Sequence, residues 1–460
     1  MQGLNAIGWY LPAHRLDRAE IGATLEVPAG KGLRVVAGYD EDATTMAVEA
    51  VRRLAPTRPT DATVWFATTR PPYLEKTNAA VVAAAVGLRS SGAYDVAGAV
   101  RSGFAALRAA SGDVGPAVAV LSDVRYGLPG SPEDLGGTDG AVAVGFGDDP
   151  IAVVRAAASI TEEVTERWRP EGTTGPGSWD PRWGGPVHAR LLAEVLDTLR
   201  KRSGLTIDRV DHLVVTSPSP RAARAARLDV EASTVVTDGA LGPAGAGAAQ
   251  VGLLLADRLA AAEPGEQILV LQAADGADAL LLEATDRVRE VTTSPLPVPD
   301  GIRVDYARYL TWRGLLPREP VKRPPVEPPA APAALRNEDW KFAFVGSRCR
   351  DCGTAHLPPE RVCMSCGATD RMEPAPLQDS RATVRTFTLD HLAATPAPPL
   401  AVGVLDFDGG GRYRCELTDV AAGEVRSGLR VEMAFRLVSV APNGVRNYFW
   451  KARPVREEQR

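Results

Sequence analysis

The 460-residue sequence is short of sulfur, and unevenly so: all five cysteines (Cys349, Cys352, Cys363, Cys366 and Cys415) lie after residue 345. The long stretch before them offers no thiolate nucleophile and no disulfide. Histidine is scarce too. His188, His212 and His391 are scattered, and each reads as a surface or hydrogen-bonded core residue rather than a catalytic base. No apolar run reaches the ~18 residues a membrane span needs, and MQGLNAIGWYLP lacks the basic-then-apolar order of a signal peptide. A formal charge of −5 gives no global pull toward nucleic acid or an anionic membrane surface. These absences lead to the expectation of a cytoplasmic protein with no membrane partner, whose paired cysteines serve a metal rather than disulfides.

Core material is ample: 45% of residues are hydrophobic and 24% charged, in a length that suits two to four domains. GYDEDATTMAVEAVRRLAP reads as an acidic-capped helix with Met46, Val48, Val51 and Leu54 on its apolar face. Residues 64–67 read as a buried strand, 78–88 as a helix, and YDVAGAVRSGFAALRAA (94–110) repeats the order strand, turn, helix. A second cycle follows. VHARLLAEVLDTLR is helical, DHLVVTSP a strand and loop, LGPAGAGAAQVGLLLADRLAA a glycine-opened helix, and EQILVLQAADGADALLLEA a closing strand pair. Two successive arrays of this kind predict a duplicated, layered α/β fold over 1–315, with halves of about 1–155 and 156–315.

Where the first array turns from strand to helix, Asp95, Ala99, Val100, Arg101, Ser102 and Gly103 stand in a pattern that resembles the nucleophile turn of 3-hydroxy-3-methylglutaryl-CoA synthases, condensing enzymes of the thiolase superfamily. The resemblance covers the chain to about residue 315, implies a thiolase-like fold, and puts Val100 where the family carries cysteine. The run Thr68, Thr69, Arg70, Pro71, Pro72, Tyr73 is similar to the family's Ser-Glu-Ser-x-Pro-Tyr loop, with Thr69 in place of glutamate. Asp211 to Pro218 resembles Asp-x-x-x-x-His-x-Pro with Thr216 in place of histidine, and the family's Gly-Asn pair falls at Gly242 and Pro243. The family reaction needs a thiolate to take acetyl from CoA, a carboxylate to generate the carbanion, and a histidine and amide to polarise the acceptor ketone. Thr69, Val100, Thr216 and Pro243 supply none of these, so no catalytic residue is expected at the family positions.

From residue 316 to 336 the proline density of PREPVKRPPVEPPAAP predicts an extended, semi-rigid linker. Beyond it, SRCRDCGTAHLPPERVCMSCGA sets Cys349, Cys352, Cys363 and Cys366 in two CxxC knuckles, followed by Gly353 and Gly367. This spacing predicts a structural zinc site, with iron in a rubredoxin-like centre as the chemical alternative. A closed shell of four sulfurs leaves no position for substrate, and it also leaves His356, between the knuckles, outside the ligand set. The zinc ribbon is expected over 337–376. Five strand-like runs follow over 377–460, and alternation in Val384, Thr386, Thr388 and in Val431, Met433, Phe435 predicts a small closed all-β barrel, an OB-fold. GSRCRDCG, PPERVCMSCG and VEMAF resemble the ribbon-plus-OB-fold proteins once classed as domain of unknown function 35, which accompany thiolases and synthases. That resemblance implies docking on a thiolase-type condensing enzyme and a passage for CoA or acyl-pantetheine.

The resulting expectation is a catalytically degenerate subunit, a dimer or hetero-oligomer, acting as scaffold and acyl-CoA conduit for such a partner, with a CoA thioester as its ligand. Two alternatives stand beside it: an active acyltransferase or condensing enzyme using other residues, and a nucleic-acid reader stacking bases on Tyr448, Phe449 and Trp450. Those three aromatics are better accounted for by burial or a protein interface. Arg101 reads as a helix-surface salt bridge, Ser102 lacks a base to activate it, and Cys415 reads as a core residue. LGPAGAGA lacks the lysine and the serine or threonine of a phosphate loop, and its glycines are expected to serve close helix packing.

Overall fold

Ten strands form one mixed sheet whose order repeats itself. In chain order they are β1 (Gly3–Tyr10), β2 (Thr63–Thr68), β3 (Ala93–Ala97), β4 (Ala117–Asp123), β5 (Gly140–Gly147), β6 (Ala152–Ile160), β7 (Arg209–Thr216), β8 (Glu231–Thr237), β9 (Gln267–Ala273) and β10 (Ala277–Ala284). The computed structural model describes residues 2–219, 222, 226, 228–319 and 327–456, so the middle of the proline-rich stretch lies outside the described residues. Across the sheet the order is β8-β7-β9-β10-β6-β1-β5-β4-β2-β3. Read outward from the β6–β1 junction, where Leu4 pairs antiparallel with Ala152, the two halves have the same order and the same strand directions. In each half the outer strands are parallel (β3-β2-β4 and β8-β7-β9), and the inner pairs are antiparallel.

Every residue of β4 is buried, as is β5 from Gly140 to Phe146. Strands covered on both faces read as continuous runs of small apolar residues rather than as an alternation, which is what AVAVLSD and GAVAVGFG are. Among the described residues four helices cover the sheet: α1 (Ala43–Arg52), α2 (Ser102–Ser111), α3 (Pro181–Ser203) and α4 (Gln250–Ala261). A capping box starts α1: the Asp42 carboxylate accepts the Thr45 N–H at 3.0 Å and the Thr45 hydroxyl accepts the Asp42 N–H at 2.9 Å. The stop signal for α3 is Gly204, left-handed at φ 67°. Helix α3 lays Leu192, Val195, Leu196 and Leu199 against Leu269, Leu271 and Leu281 of the second half. Helix α4 is apolar nearly all round and buried accordingly; it packs with α2 and against strands of both halves, so α2 and α4 form the inner helix layer. Their approach explains a glycine. A Cβ on Gly103 would lie 2.1 Å from the Ala248 carbonyl oxygen.

A second compact unit runs from Ala307 onward and includes Gly38–Glu41 and Val81–Gly87. It holds helices α5 (Ala331–Arg336) and α6 (Glu338–Lys341), then a ribbon of β11 (Val345–Cys349), β12 (Ala355–His356) and β13 (Met372–Pro376). The barrel strands are β14 (Ala382–Asp390), β15 (Leu400–Phe407), β16 (Arg412–Glu416), β17 (Arg430–Val440) and β18 (Arg446–Pro454), in the order β16-β15-β14-β17-β18. A parallel bridge from Leu417 to Ala452 brings the end of β16 back to β18. Val431, Met433 and Phe435 are fully buried, as their alternation predicts. Thr386 and Thr388 depart from the expectation: a bulge between Val384 and Thr386 shifts the register of β14, and both threonines are exposed. Deep in this unit Arg436 meets Asp419 at 2.7 Å, Glu41 at 3.2 Å and Asp40 at 3.8 Å, while Lys451 meets Glu416 at 2.8 Å and Asp40 at 3.0 Å.

Candidate functional site

Parallel strands deliver their C-terminal ends to one edge, where ligand sites of open α/β sheets gather. Thr69 follows the end of β2, Val100 follows β3 and precedes α2, and Thr216 ends β7. Thr69 and Val100 line a cavity with about 90 Å3 of room for water-sized occupants, together with Arg70, Arg125, Arg167 and Arg169. Val100 also lines an adjoining cavity of about 30 Å3, with Thr216, Pro243 and Gln272. The four positions at which the sequence resemblance implies lost catalytic groups therefore converge around Val100.

The hydroxyl of Thr69 is not a free base. It donates to Asp123 Oδ1 at 3.0 Å, and the same oxygen receives the Thr69 N–H at 2.8 Å and the Thr68 hydroxyl at 2.9 Å. Asp123 Oδ2 takes the Ala248 N–H at 2.7 Å, so one fully buried carboxylate ties the loop after β2 to the turn that opens α4. The glycine-rich run serves this contact, since a Cβ on Gly247 would lie 2.0 Å from Asp123 Oδ2. Beside it stands Arg125, whose side chain is 6% exposed; Glu133 is 3.6 Å away and pairs more closely with Arg167, at 2.6 Å. Burial and the charge of Arg167 push the Arg125 guanidinium down to about 10. Burial also raises the carboxyls of Glu166 and Asp275, which line the same cavity. Asp123, Arg125, Arg167 and Gln272 were not singled out from the sequence. Charged residues closing otherwise apolar strands, as in AVAVLSDVR, were the signal for the first two.

His188 is a core histidine, as expected, but it also lines the cavity: its Nδ1 sits 3.1 Å from the Ser217 hydroxyl, and burial pushes its pKa down to about 4. Arg101 does form a salt bridge, but not on the helix surface as expected: its partner at 2.8 Å is Asp278, a largely buried carboxylate on β10. The Ser102 hydroxyl accepts the Ala99 N–H at 3.3 Å. Cys415 is buried in β16, and that burial pushes its thiol up to about 12. Tyr448 and Trp450 are 3% and 1% exposed, so neither presents a face for stacking bases.

In the second unit the Sγ atoms of Cys349, Cys352, Cys363 and Cys366 all lie within 4.8 Å of one another. Cys349 and Cys366 are 3.7 Å apart, Cys352 and Cys363 3.5 Å. A tetrahedron of 2.3 Å Zn–S bonds has edges of about 3.8 Å, whereas a disulfide would need about 2.05 Å, so the donors fit an ion. The knuckles are built alike: Gly353 and Gly367, at φ 73° and 77°, donate their N–H groups to Cys349 and Cys363 carbonyls, each at 2.9 Å. Hydrogen bonding with Thr354 draws the Cys352 thiol down to about 6. A far larger cavity, about 620 Å3, opens between α5, α6 and the barrel, lined by Trp340, Lys341, Tyr413, Arg414, Phe449 and Lys451 among others.

Residues 342–373 match the family description "ChsH2, rubredoxin-like zinc ribbon domain", and 375–436 match "ChsH2, C-terminal OB-fold domain". The chain is 30% identical over 341 residues to hydroxymethylglutaryl-CoA synthase of Methanocella arvoryzae, covering 68% of this chain and 97% of that one. With the enzyme of Archaeoglobus fulgidus it shares 29% over 340 residues, 68% of this chain and 98% of that one. Among solved structures, an HMG-CoA synthase complexed with CoA superposes with a TM-score of 0.55 at 15% identity, over 77% of this chain and 94% of that one. The HMG synthase of the curacin biosynthetic pathway in complex with holo donor-ACP gives 0.57 at 16%, over 68% and 88%. The first two-thirds of the molecule is thus a thiolase-like α/β fold followed by a zinc ribbon and an OB-fold, and the chain belongs to the hydroxymethylglutaryl-CoA synthase family.

Proposed function

We propose that this chain is a non-catalytic subunit of an acyl-transfer or carbon–carbon condensing complex, acting as scaffold and acyl-CoA conduit for a thiolase-type partner that supplies the nucleophilic cysteine. The observation that carries the reading is the convergence of Thr69, Val100, Thr216 and Pro243 on two adjoining cavities that share Val100, whose described lining holds no thiol, no free carboxylate at Thr69 and no imidazole at Thr216. Size points the same way. About 90 Å3 is far below the ~300 Å3 at which pockets for extended ligands begin, while the 620 Å3 cavity of the second unit is within that range. Its aromatic walls suit a pantetheine arm, and Lys341 and Arg414 suit the phosphates of CoA. Zinc held by Cys349, Cys352, Cys363 and Cys366 would keep the ribbon folded, and its closed sulfur shell gives it no part in the chemistry.

The test is intact-mass analysis after incubation with labelled acyl-CoAs, alone and with a thiolase-type partner. The expected result is label on the partner's cysteine and an unmodified chain here; an acyl group on any residue before Leu316 would overturn the reading. A second reading has one observation in its favour, the Ser217–His188 hydrogen bond beside the cavity. It makes Ser217 an acyl acceptor with His188 as base. A histidine whose pKa is held near 4 is a poor proton acceptor at neutral pH, which is why this reading is second. Acylation lost on Ser217→Ala would promote it.

A further inference from the structure

We propose that the pocket around Val100 has become a binding site for a small oxyanion, a carboxylate or a phosphate, gripped by Arg125 and Arg167 from one side and by Thr216 and Gln272 from the other. The inference goes beyond the scaffold reading and does not depend on it. Four guanidinium groups, Arg70, Arg125, Arg167 and Arg169, line the larger cavity, against the carboxylates of Glu166 and Asp275. Arg70 and Arg169 are held in place by carbonyls, Arg70 Nη2 donating to Tyr126 at 2.7 Å and Arg169 Nη2 to Thr69 at 2.9 Å. Behind the wall Glu133 answers both Arg125 and Arg167, and Asp123, which also faces Arg125, is already engaged by the Thr68 and Thr69 hydroxyls and two backbone N–H groups.

The more telling observation is what remains unpaired. Arg125 Nε is buried without a hydrogen-bond partner, and its Nη1 reaches only Thr69 Oγ1, at 3.5 Å. Across the adjoining cavity the Thr216 hydroxyl and both ends of the Gln272 amide are also buried and unpartnered. A buried polar group left unsatisfied loses its hydration without replacement, and a charged one loses most, so leaving all of these unanswered is unfavourable. An oxyanion accepts from Arg125 Nε, the Thr216 hydroxyl and the Gln272 N–H together, and it relieves the repulsion between Arg125 and Arg167. Val100 sits at the shared wall of the two cavities and presents no polar atom, so a larger side chain there narrows the space without removing a charge or a donor.

Calorimetric titration of the full-length, zinc-loaded protein with inorganic phosphate, malonate and CoA, in a chloride buffer, tests the inference. Saturable binding of phosphate or malonate is expected. Arg125→Gln and Gln272→Leu should each weaken it about tenfold or more, and Val100→Phe, which removes no charge, should abolish it at an unchanged melting temperature. If Arg125→Gln fails to fold, the other two variants carry the test. Binding of CoA alone, still abolished by Val100→Phe, would assign the oxyanion to a CoA phosphate rather than a free acid. No saturable binding of any of the three, or binding indifferent to Val100→Phe, would overturn the proposal. Neither outcome bears on whether an acyl group is ever carried covalently, which intact-mass analysis decides separately.

Discussion

At the scale of single residues, the family's chemistry is missing for reasons that one substitution cannot repair. Val100→Cys restores a thiol just ahead of α2, where the helix N-terminus favours thiolate. The carbanion step would still lack its base, because the Thr69 hydroxyl is committed to Asp123 and a hydroxyl does not take up a proton at neutral pH. The V100C protein is therefore expected to react with iodoacetamide yet to form no hydroxymethylglutaryl-CoA from acetyl-CoA and acetoacetyl-CoA. Condensation above background by that variant would show that the pocket still holds a working base. His188 gives a second prediction. Its folded pKa of about 4 lies below the unfolded value of 6.5, so between those values the unfolded chain binds the extra proton. The stability it contributes is present above pH 6.5, is lost as pH falls toward 4, and levels off below. The full shift corresponds to about 3 kcal/mol at most. Thermal melts of wild type and His188→Gln, which can keep a hydrogen bond to Ser217, should converge across that window as pH drops; parallel curves would refute it.

Elements were legible in the sequence wherever the determining residues are neighbours. The capping residues of α1, the apolar runs of β4 and β9, and the zinc knuckles all declare themselves within a few positions. The four cysteines span only Cys349 to Cys366, so their geometry follows from local turns at Gly353 and Gly367. One zinc per chain is expected on elemental analysis, and Cys363→Ser, which removes a buried ligand, should lose the metal and unfold the ribbon, read as loss of amide protection over β11 to β13. Retention of metal with intact protection would sink the four-sulfur assignment. The arginine-lined pocket was not legible, because Arg70, Arg125, Arg167 and Gln272 come from distant segments that only the sheet order brings together. The exposed Thr386 and Thr388 were misread for a related reason: a bulge leaves no mark in an alternating pattern. The contact of α2 with the turn before α4 was anticipated only as tight packing, yet it makes a sharp prediction. Gly103→Ala drives a methyl group to 2.1 Å from the Ala248 carbonyl oxygen, backbone that cannot swing aside. A loss of about 3 kcal/mol or more is expected in denaturant unfolding, whereas an ordinary exposed helix glycine would gain from alanine.

At the scale of the whole molecule, the proline-rich stretch suggests a chain that can be cut there into two self-sufficient parts, and the charges of the second unit argue otherwise. That unit includes Gly38–Glu41, a segment nearly three hundred residues earlier in the chain. Arg436 has no exposed surface and faces Asp419, Glu41 and Asp40, and Lys451 faces Glu416 and Asp40. Burial opposes the charge on Lys451, but Asp40, Tyr39 and Glu416 outweigh it and hold the ammonium protonated. A fragment covering 327–456 alone keeps Asp419 and Glu416 and loses Asp40 and Glu41, so each buried cation keeps one carboxylate and loses the partners that the earlier segment supplies. Removing one side of a buried ion pair costs about 3–5 kcal/mol, a large share of what a barrel of this size has. The fragment should therefore show faster amide exchange over β17 and β18 than the full chain with zinc present in both, and Asp40→Asn in the full chain should reproduce part of that loss, because it weakens the answer to Arg436 and Lys451 while leaving the covalent chain intact. Arg436→Met removes the cation that answers Asp419 in both, so it should lower protection in the fragment as well as in the full chain, where three carboxylates would then face one another. Equal protection in fragment and full chain would mean that the segment at Asp40 contributes no stability to the barrel, and that the proline-rich stretch does separate two independent folding units.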